Sequence, residues 1–339
     1  MKTPFELGYR MPAEWEKHEA TWLSWPKDPL TFPNRIIDKV EQIYIDMIQS
    51  LQKGEMVNLL VDDKGTEEKV VSLLASTKNV RFFQIKTADV WIRDYGPLFV
   101  KNPKGLAATK WIFNAWGGKY DELLRDNEVG LEICRRTGVQ HFEPQIVLEG
   151  GSIDVNGEGS CLTTTQCLLN KNRNPKLNRT EIETYLRDYL GIRNAIWLDE
   201  GIMGDDTDGH VDDIARFMNK STVLCMTEDD PADENYSRLK RNKELLEQSR
   251  DQNGEKFDVV TIKMPKKVEI ESRLPASYAN FYIGNSVVLL PIFGDRNDDS
   301  AISILSSFFP GRQIVGIDCR YLVYGFGGIH CVTQQQPVS

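Results

Sequence analysis

Apolar and polar positions along the chain follow two different periods, and these predict helices and strands in turn. From 36 to 51 apolar residues recur at intervals of three and four, which predicts a helix, and Gly54 then provides a natural stop. The same reading predicts further helices and strands. The helices are 67–75 and 232–250, the latter mostly facing solvent, and the strands are 57–61 and 80–85.

Turn and cap residues add boundaries between these elements. The pairs at 156–157 and 284–285 each lie between strand-like runs and predict hairpins. Thr180 and Glu183 have capping-box spacing and predict a helix that begins there and runs to Leu190. Helices that alternate with strands, some of them in hairpins, predict an α/β or α+β fold rather than a purely parallel doubly wound sheet.

Composition narrows the class of protein. The chain has 339 residues, 40% of them hydrophobic and 27% charged, which suits a globular protein with a substantial core. Its longest apolar run, 287–293, is too short to cross a membrane, and the N-terminal residues lack the apolar segment of a signal peptide. We therefore expect a cytoplasmic protein without a membrane partner. Because no linker interrupts the pattern, we expect 1–339 to form one domain.

Charge and cysteine content exclude several functions. A net charge of −9 argues against binding to nucleic acid and favours a cationic ligand. None of the six cysteines is spaced as C-x-x-C, which argues against zinc ribbons, iron–sulfur clusters and thioredoxin-like redox sites. In a cytoplasmic chain we expect these thiols to be reduced.

Four segments carry more polar groups than a plain core or surface needs. Each alone also has a purely structural interpretation, as a turn, a strand end or a solvated loop. They are 91–97, with an Arg–Asp pair; 148–152, where Glu149 precedes two glycines; 204–213; and 325–337.

The segment 204–213 combines five aspartates with one of only four histidines. It does not fit a calcium loop, because a turn glycine at Gly209 would place the first and last ligands on Gly204 and Ala215. If the chain is extended here, His210 and Asp212 share one strand face, an arrangement suited to proton transfer and cation binding. A metal-dependent hydrolase built on these aspartates is an alternative.

The segment 325–337 contains a cysteine near the end of the chain. A lone cysteine is usually a small buried hydrophobic residue. Cys331 together with a separate His–Asp pair and isolated carboxylates is instead typical of nucleophilic thiol catalysis.

These motifs together resemble one known family. They are Arg10 to Glu16, Trp-x-Arg-Asp at 91–94, Glu-Gly-Gly at 149–151, Gly-Asp-Asp-Thr-Asp-Gly-His-Val-Asp at 204–212 and His-Cys-x-Thr-Gln-Gln at 330–335. In this order the chain resembles the agmatine deiminases, which are grouped with bacterial peptidyl-arginine deiminases in the guanidino-group modifying superfamily. Phe326 departs from the resemblance by interrupting a glycine run, with a possible effect on the flexibility of the loop around Cys331.

The resemblance implies a five-bladed α/β propeller, or pentein, in which each blade is a ββαβ unit and the active site lies on the pseudo-fivefold axis. The spacing of one candidate per blade is compatible with this fold. The candidates are Asp94, Glu149, His210, Asn280 and Cys331, at intervals of 55, 61, 70 and 51 residues.

The resemblance also implies a catalytic role for five side chains. Asp94 and Asp212 would hold the guanidinium, and Cys331 would attack its carbon to form a covalent thiouronium intermediate. His210 would protonate the departing ammonia and then activate water, while Glu149 would hydrogen-bond His210 or the substrate. This chemistry requires neither a metal nor an organic cofactor.

The implied substrate is agmatine, and the product N-carbamoylputrescine, in putrescine synthesis. Asp206 is the best candidate to bind the distal ammonium, Trp91 could line the alkyl chain or be plain core, and Asn280 is a further substrate-binding candidate. A peptidyl-arginine or free-arginine deiminase and a non-catalytic guanidine-binding protein are alternatives. A homodimer is compatible with the family.

Overall fold

The computed structural model describes residues 2–339, and the strands in this part of the chain form five separate sheets. The strands are β1 His18–Ser24, β2 Met56–Val61, β3 Val80–Gln84, β4 Leu98–Asn102, β5 Gly105–Thr109, β6 Gln140–Phe142, β7 Asp154–Val155, β8 Ser160–Thr164, β9 Asn194–Leu198, β10 Ala215–Phe217, β11 Thr222–Thr227, β12 Asp258–Lys263, β13 Tyr282–Ile283, β14 Val287–Ile292, β15 Gln313–Asp318 and β16 Gln334–Pro337. The helices are α1 Ile37–Leu51, α2 Lys64–Leu73, α3 Ile92–Tyr95, α4 Ala115–Gly118, α5 Val129–Thr137, α6 Thr165–Leu168, α7 Arg179–Leu190, α8 Asn235–Gln248 and α9 Asp298–Phe308.

The same ββαβ order recurs in every sheet. Two strands pair antiparallel, one or two helices follow, and a further strand then pairs parallel to the second, as in β4, β5 and β6. In the remaining sheet β16 pairs antiparallel with β1, and β2 and β3 follow in parallel. The two ends of the chain therefore meet in one sheet, and because β1 and β16 are antiparallel, residues before β1 lie close to residues after β16.

Most elements predicted from periodicity are confirmed within one to three residues. The predicted helices 36–51, 67–75 and 232–250 correspond to α1, α2 and α8. In α8 the buried side chains are Asn235, Leu239, Asn242 and Leu246, so the helix presents one narrow face to the protein. Both predicted hairpins are present, as β7–β8 and β13–β14.

Two local predictions were wrong. The capping box of α7 is formed by Asn178 and Glu181 and not by Thr180 and Glu183, because Asn178 is extended and its side chain accepts a hydrogen bond from the Glu181 amide at 3.1 Å. The chain at Val211–Asp213 is a 3-10 turn rather than a strand. The two side chains predicted to share a strand face there are brought together by this turn instead.

The connections between sheets carry the predicted site residues. One such residue lies between the last strand of each sheet and the first strand of the next: Asp94 after β3, Glu149 after β6, His210 after β9, Asn280 after β12 and Cys331 after β15. Apolar residues of the strands and helices form the core around them. Among residues 2–339 no helix is long and apolar enough to cross a membrane.

Candidate active site

A cavity of about 280 Å³ has Cys331 in its lining. Asp94 lines it as well, and the indole rings of Trp91 and Trp116 form apolar walls. Asp206 also lines it, with its side chain more than a third exposed. The cavity thus joins a buried thiol to an acidic, solvent-accessible opening.

Asp94 lies on α3 and is held by two donors. The Gly151 amide donates to Oδ1 and the Trp116 indole N–H donates to Oδ2, both at 2.9 Å. Burial raises the pKa of Asp94 above its ordinary value, and the positive charge of His210 only partly opposes this effect. The carboxylate is therefore oriented without a cation bound tightly to it.

Gly151 lies where three of the predicted catalytic side chains converge. A Cβ at this position would be 2.6 Å from His210 Nδ1, 2.9 Å from Asp94 Oδ1 and 3.1 Å from Asp212 Oδ2. Any side chain here would displace these groups, so the glycine is what allows them to meet.

His210 and Glu149 are fully buried beside this convergence point. His210 Nδ1 is 3.8 Å from Asp94 Oδ1. Burial favours a lower pKa for His210, but Asp94 and the nearby Cys167 outweigh it and raise that pKa well above its ordinary value. The direction of this shift favours the protonated ring, which can donate a proton.

The predicted hydrogen bond between Glu149 and His210 is not formed. Glu149 Oε1 accepts from Arg173 Nε at 2.6 Å. Within residues 2–339, Glu149 Oε2 and both ring nitrogens of His210 have no hydrogen-bond partner. Arg173, which the sequence analysis missed, thus orients Glu149, and unsatisfied polar atoms remain beside the end of the cavity.

Only one of the two carboxylate oxygens of Asp212 has a hydrogen-bond partner among the described residues. Its Oδ2 accepts from His330 Nδ1 at 2.7 Å, and its Oδ1 has no partner among the described residues. Burial would raise the pKa of Asp212, but the hydrogen bond and charge of His330 and the charge of His210 hold that pKa below its ordinary value. Asp212 therefore presents an ionised, unsatisfied oxygen.

The Cys331 thiol lies among these acidic groups. Its Sγ is 3.8 Å from Asp212 Oδ2, and Asn280 Nδ2 lies 3.3 Å from it. Burial raises the pKa of the thiol well above its ordinary value, and the negative charges of Asp212 and Asp213 raise it further. In the absence of a cation the sulfur is therefore protonated.

The remaining predicted residues occupy different positions around the cavity. The indole N–H of Trp91 donates to Asp89 at 2.8 Å, and Asp206 accepts hydrogen bonds from Tyr120 and Lys119. Asn280 contacts the cysteine rather than the open cavity. Phe326 lines the cavity in the left-handed region, with φ of 66°, a conformation that glycine adopts without strain.

The aspartates of 204–213 do not converge on one point. Asp205 accepts from the Gly209 amide at 2.7 Å, and Asp208 pairs with Arg173 at 2.7 Å and Lys119 at 3.0 Å. In the described part of the chain the one group that could hold a metal ion is Glu149, Cys167 and His210, whose ligand atoms lie within 4.8 Å of each other. The guanidinium of Arg173 on Glu149 opposes a cation there.

A buried thiol, two carboxylates and a histidine, supplied by the connections between successive ββαβ units, define an α/β protein with a site suited to a planar cation. The sequence profile of the Porphyromonas-type peptidyl-arginine deiminases matches residues 10–337. The chain belongs to this family, and the resemblance found in the sequence is confirmed.

Individual relatives match over nearly the whole chain. A Legionella pneumophila (strain Paris) protein is 42% identical, over 99% of this chain and 97% of its own. The agmatine deiminase of Enterococcus faecalis is 31% identical with a TM-score of 0.93, covering 100% and 98% of the two chains. A C. jejuni agmatine deiminase with a cysteine-to-serine substitution and substrate bound is 35% identical, with a TM-score of 0.88 and coverage of 97% and 96%.

Proposed function

We propose that this protein hydrolyses agmatine to N-carbamoylputrescine and ammonia through a covalent intermediate on Cys331, a step in putrescine synthesis. The observation that carries the proposal is the position of the Cys331 thiol, at the end of a cavity where Asp94 and Asp212 flank it. Solved agmatine deiminases have the same fold over the full length of the chain.

Binding of the guanidinium is the first step. Asp94 and the unpartnered Oδ1 of Asp212 accept hydrogen bonds from the planar cation, which aligns its carbon with Cys331. The arriving positive charge offsets the carboxylates that keep the thiol protonated. Its pKa therefore falls, and the thiol proton is released as the cation binds.

Attack and loss of ammonia follow. The thiolate adds to the guanidinium carbon, and the resulting tetrahedral adduct carries no net charge. His210, an imidazolium at rest, gives its proton to one amino group, which leaves as ammonia and yields the S-alkylthiouronium. Neutral His210 then takes a proton from water as the water attacks, and collapse of the second adduct expels the cysteine sulfur.

Glu149 assists from behind the cavity. Its Oε1 is held by Arg173, while its Oε2 remains free to accept from the substrate or from His210. A carboxylate oxygen of Glu149 lies within 4.8 Å of ligand atoms of His210 and Cys167, so Glu149 acts on a group placed beside His210.

Agmatine is favoured over arginine by the charge of the cavity. Asp206 lines the opening together with Asp28, Glu122 and Glu271, which attract the distal ammonium and repel an α-carboxylate. The flat indoles of Trp91 and Trp116 line the path of the alkyl chain. Asn280 acts on the thiol, to which it is hydrogen-bonded, rather than on the substrate directly.

We also propose that the five ββαβ sheets surround one axis as the blades of a propeller in a single domain spanning 1–339. Support comes from the five connections between sheets, since each supplies one residue of the same small site.

A cytoplasmic location and a homodimer are further proposals. Light scattering after size-exclusion chromatography measures the oligomeric state.

The substrate is tested by comparing ammonia release from agmatine, free arginine and a blocked arginine peptide. We expect kcat/KM to be highest for agmatine and to fall in Asp206→Asn through a higher KM, because the distal ammonium loses its anion. A highest value for the blocked peptide would establish the alternative, a peptidyl-arginine deiminase. Loss of turnover in a chelator would instead favour a metal-dependent hydrolase.

A further inference from the structure

Three buried ionisable side chains, Asp212, His330 and Glu14, contact one another in a row that begins at the site. The row joins a residue near the start of the chain to one near its end. His330 Nδ1 lies 2.7 Å from Asp212 Oδ2, and His330 Nε2 lies 2.9 Å from Glu14 Oε2. All three side chains are at least nine-tenths buried. Glu14 precedes β1 and His330 precedes β16, and their side chains meet although the antiparallel pairing sets the start of β1 beside the end of β16.

The contacts define where the hydrogens of His330 reside. An ionised carboxylate can only accept hydrogen bonds, so two of them facing one ring require an N–H on each ring nitrogen. Burial opposes ionisation of Glu14, yet Arg216, bound to it at 3.0 Å, and His330 hold its pKa well below the ordinary value. Arg93 also fixes the ring from the backbone side, donating to the His330 carbonyl at 3.2 Å.

This arrangement has a consequence for Asp212. The carboxylate shares a small buried volume with acidic neighbours, and their charges work against its ionisation. With an N–H on each ring nitrogen, His330 places a cation beside Asp212 Oδ2. It occupies Oδ2 and leaves Oδ1 for a ligand.

We propose that His330 is a positioning residue that keeps Asp212 ionised and turned toward the guanidinium, and that Glu14 anchors His330 in this role. The inference rests on the proposed function for its kinetic consequence, but not for the state of the ring. It also assigns a role to the segments that precede β1 and β16, since Glu14 in the first holds His330, the residue next to Cys331, in the second.

Several charged groups surround this pair and set the direction of its pH response. The acidic groups raise the pH at which Asp212 ionises and the cationic ones lower it. Facing Asp212 are His330, His210, Arg216, Asp94, Asp213 and Cys331, and facing His330 are Asp212, Glu14, Arg93 and Asp154.

The state of the ring is measured without any turnover. The protein is labelled with ¹⁵N in its histidine rings, and the His330 signals are identified by their loss in His330→Gln. At about pH 7 these signals should show a hydrogen on both ring nitrogens of His330. In Glu14→Gln the Nε2 resonance should move. A neutral ring with one hydrogen in the native protein would overturn the inference.

The kinetic role is measured by the pH profile of kcat/KM for agmatine. His330→Gln should lower kcat/KM on the order of tenfold to a hundredfold, because a charge-assisted hydrogen bond to Asp212 is lost. It should also move the acid limb to higher pH, since Asp212 then protonates more readily as pH falls. Glu14→Gln should shift the limb the same way by less.

A matched control separates positioning from folding. His141→Gln makes the same substitution on the exposed strand β6, away from the cavity, and should leave the profile unchanged. If His330→Gln lowers activity equally at every pH, its role is structural and the inference is wrong. If the native protein releases no ammonia from agmatine, the proposed function fails, and the NMR result still decides whether His330 bridges two carboxylates.

Discussion

At the scale of single residues, the atoms available to bind a ligand are the buried polar atoms that have no hydrogen-bond partner within the protein. Asp212 Oδ1 and Glu149 Oε2 are buried without a partner in residues 2–339, whereas their other oxygens are fixed by His330 and Arg173. Burying such atoms costs free energy unless a ligand satisfies them. The site is therefore organised in advance for a group that donates several hydrogen bonds.

The first prediction concerns the resting state of Cys331. Its pKa is raised well above the ordinary thiol value by burial and by Asp212 and Asp213, so inactivation by iodoacetamide without substrate should keep accelerating as pH rises past about 9. Mass spectrometry of the alkylated site, with Cys331→Ala as control, measures this rate. A rate that levels off below about pH 8 would show a thiolate at rest.

The second prediction concerns Gly151. Gly151→Ala should lower kcat/KM on the order of a hundredfold, because its Cβ would displace His210, Asp94 and Asp212 from their common point. Gly311→Ala is the matched control, since a Cβ at Gly311 meets no atom within 4 Å. Activity of Gly151→Ala equal to that of the control would show that the convergence is not needed for turnover.

At the scale of elements, hydrophobic periodicity predicted the positions of the helices correctly, but it did not predict the conformation of the segment around His210. The predicted helices α1, α2 and α8 are present. The extended segment expected at His210 is a 3-10 turn, because Asp205 binds the Gly209 and His210 amides and the chain bends tightly there. Such a side-chain-to-backbone turn overrides the alternation on which the strand prediction depended.

The third prediction tests the corrected start of α7. Asn178→Ala should lower the free energy of unfolding by about 1 kcal/mol, since it removes one side of the capping box, and kcat/KM should not change. Thr180→Ala, at the position that the sequence favoured, should have a smaller effect because Thr180 lies inside the first turn. Urea denaturation measures both, and the reverse order would restore the original assignment.

At the scale of the whole molecule, the sequence predicted the residues of the site better than the contacts behind it. Cys331, His210, Asp94 and Asp212 meet as expected, since the motifs name them directly. The contacts of Arg173 with Glu149 and of His330 with Glu14 were missed. The second of these joins positions more than three hundred residues apart, and nothing in the local pattern of either segment reports the other.

The fourth prediction follows from the net charge of −9 and the acidic cavity opening. A dicationic substrate is attracted at long range, so kcat/KM for agmatine should fall when ionic strength rises from about 0.01 M to about 0.15 M, because salt screens that attraction. kcat should change little, since the buried contacts are poorly screened. A kcat/KM independent of salt would mean that the surface charge does not steer the substrate.

The central claim is that Cys331 is the nucleophile of a guanidine hydrolase. Its most direct test is ammonia release from agmatine by the native protein and by Cys331→Ala at matched concentration, with Cys319→Ala, a buried cysteine outside the cavity, as control. We expect ammonia release by the native protein and by Cys319→Ala, and none above background by Cys331→Ala. Equal release by all three would contradict it.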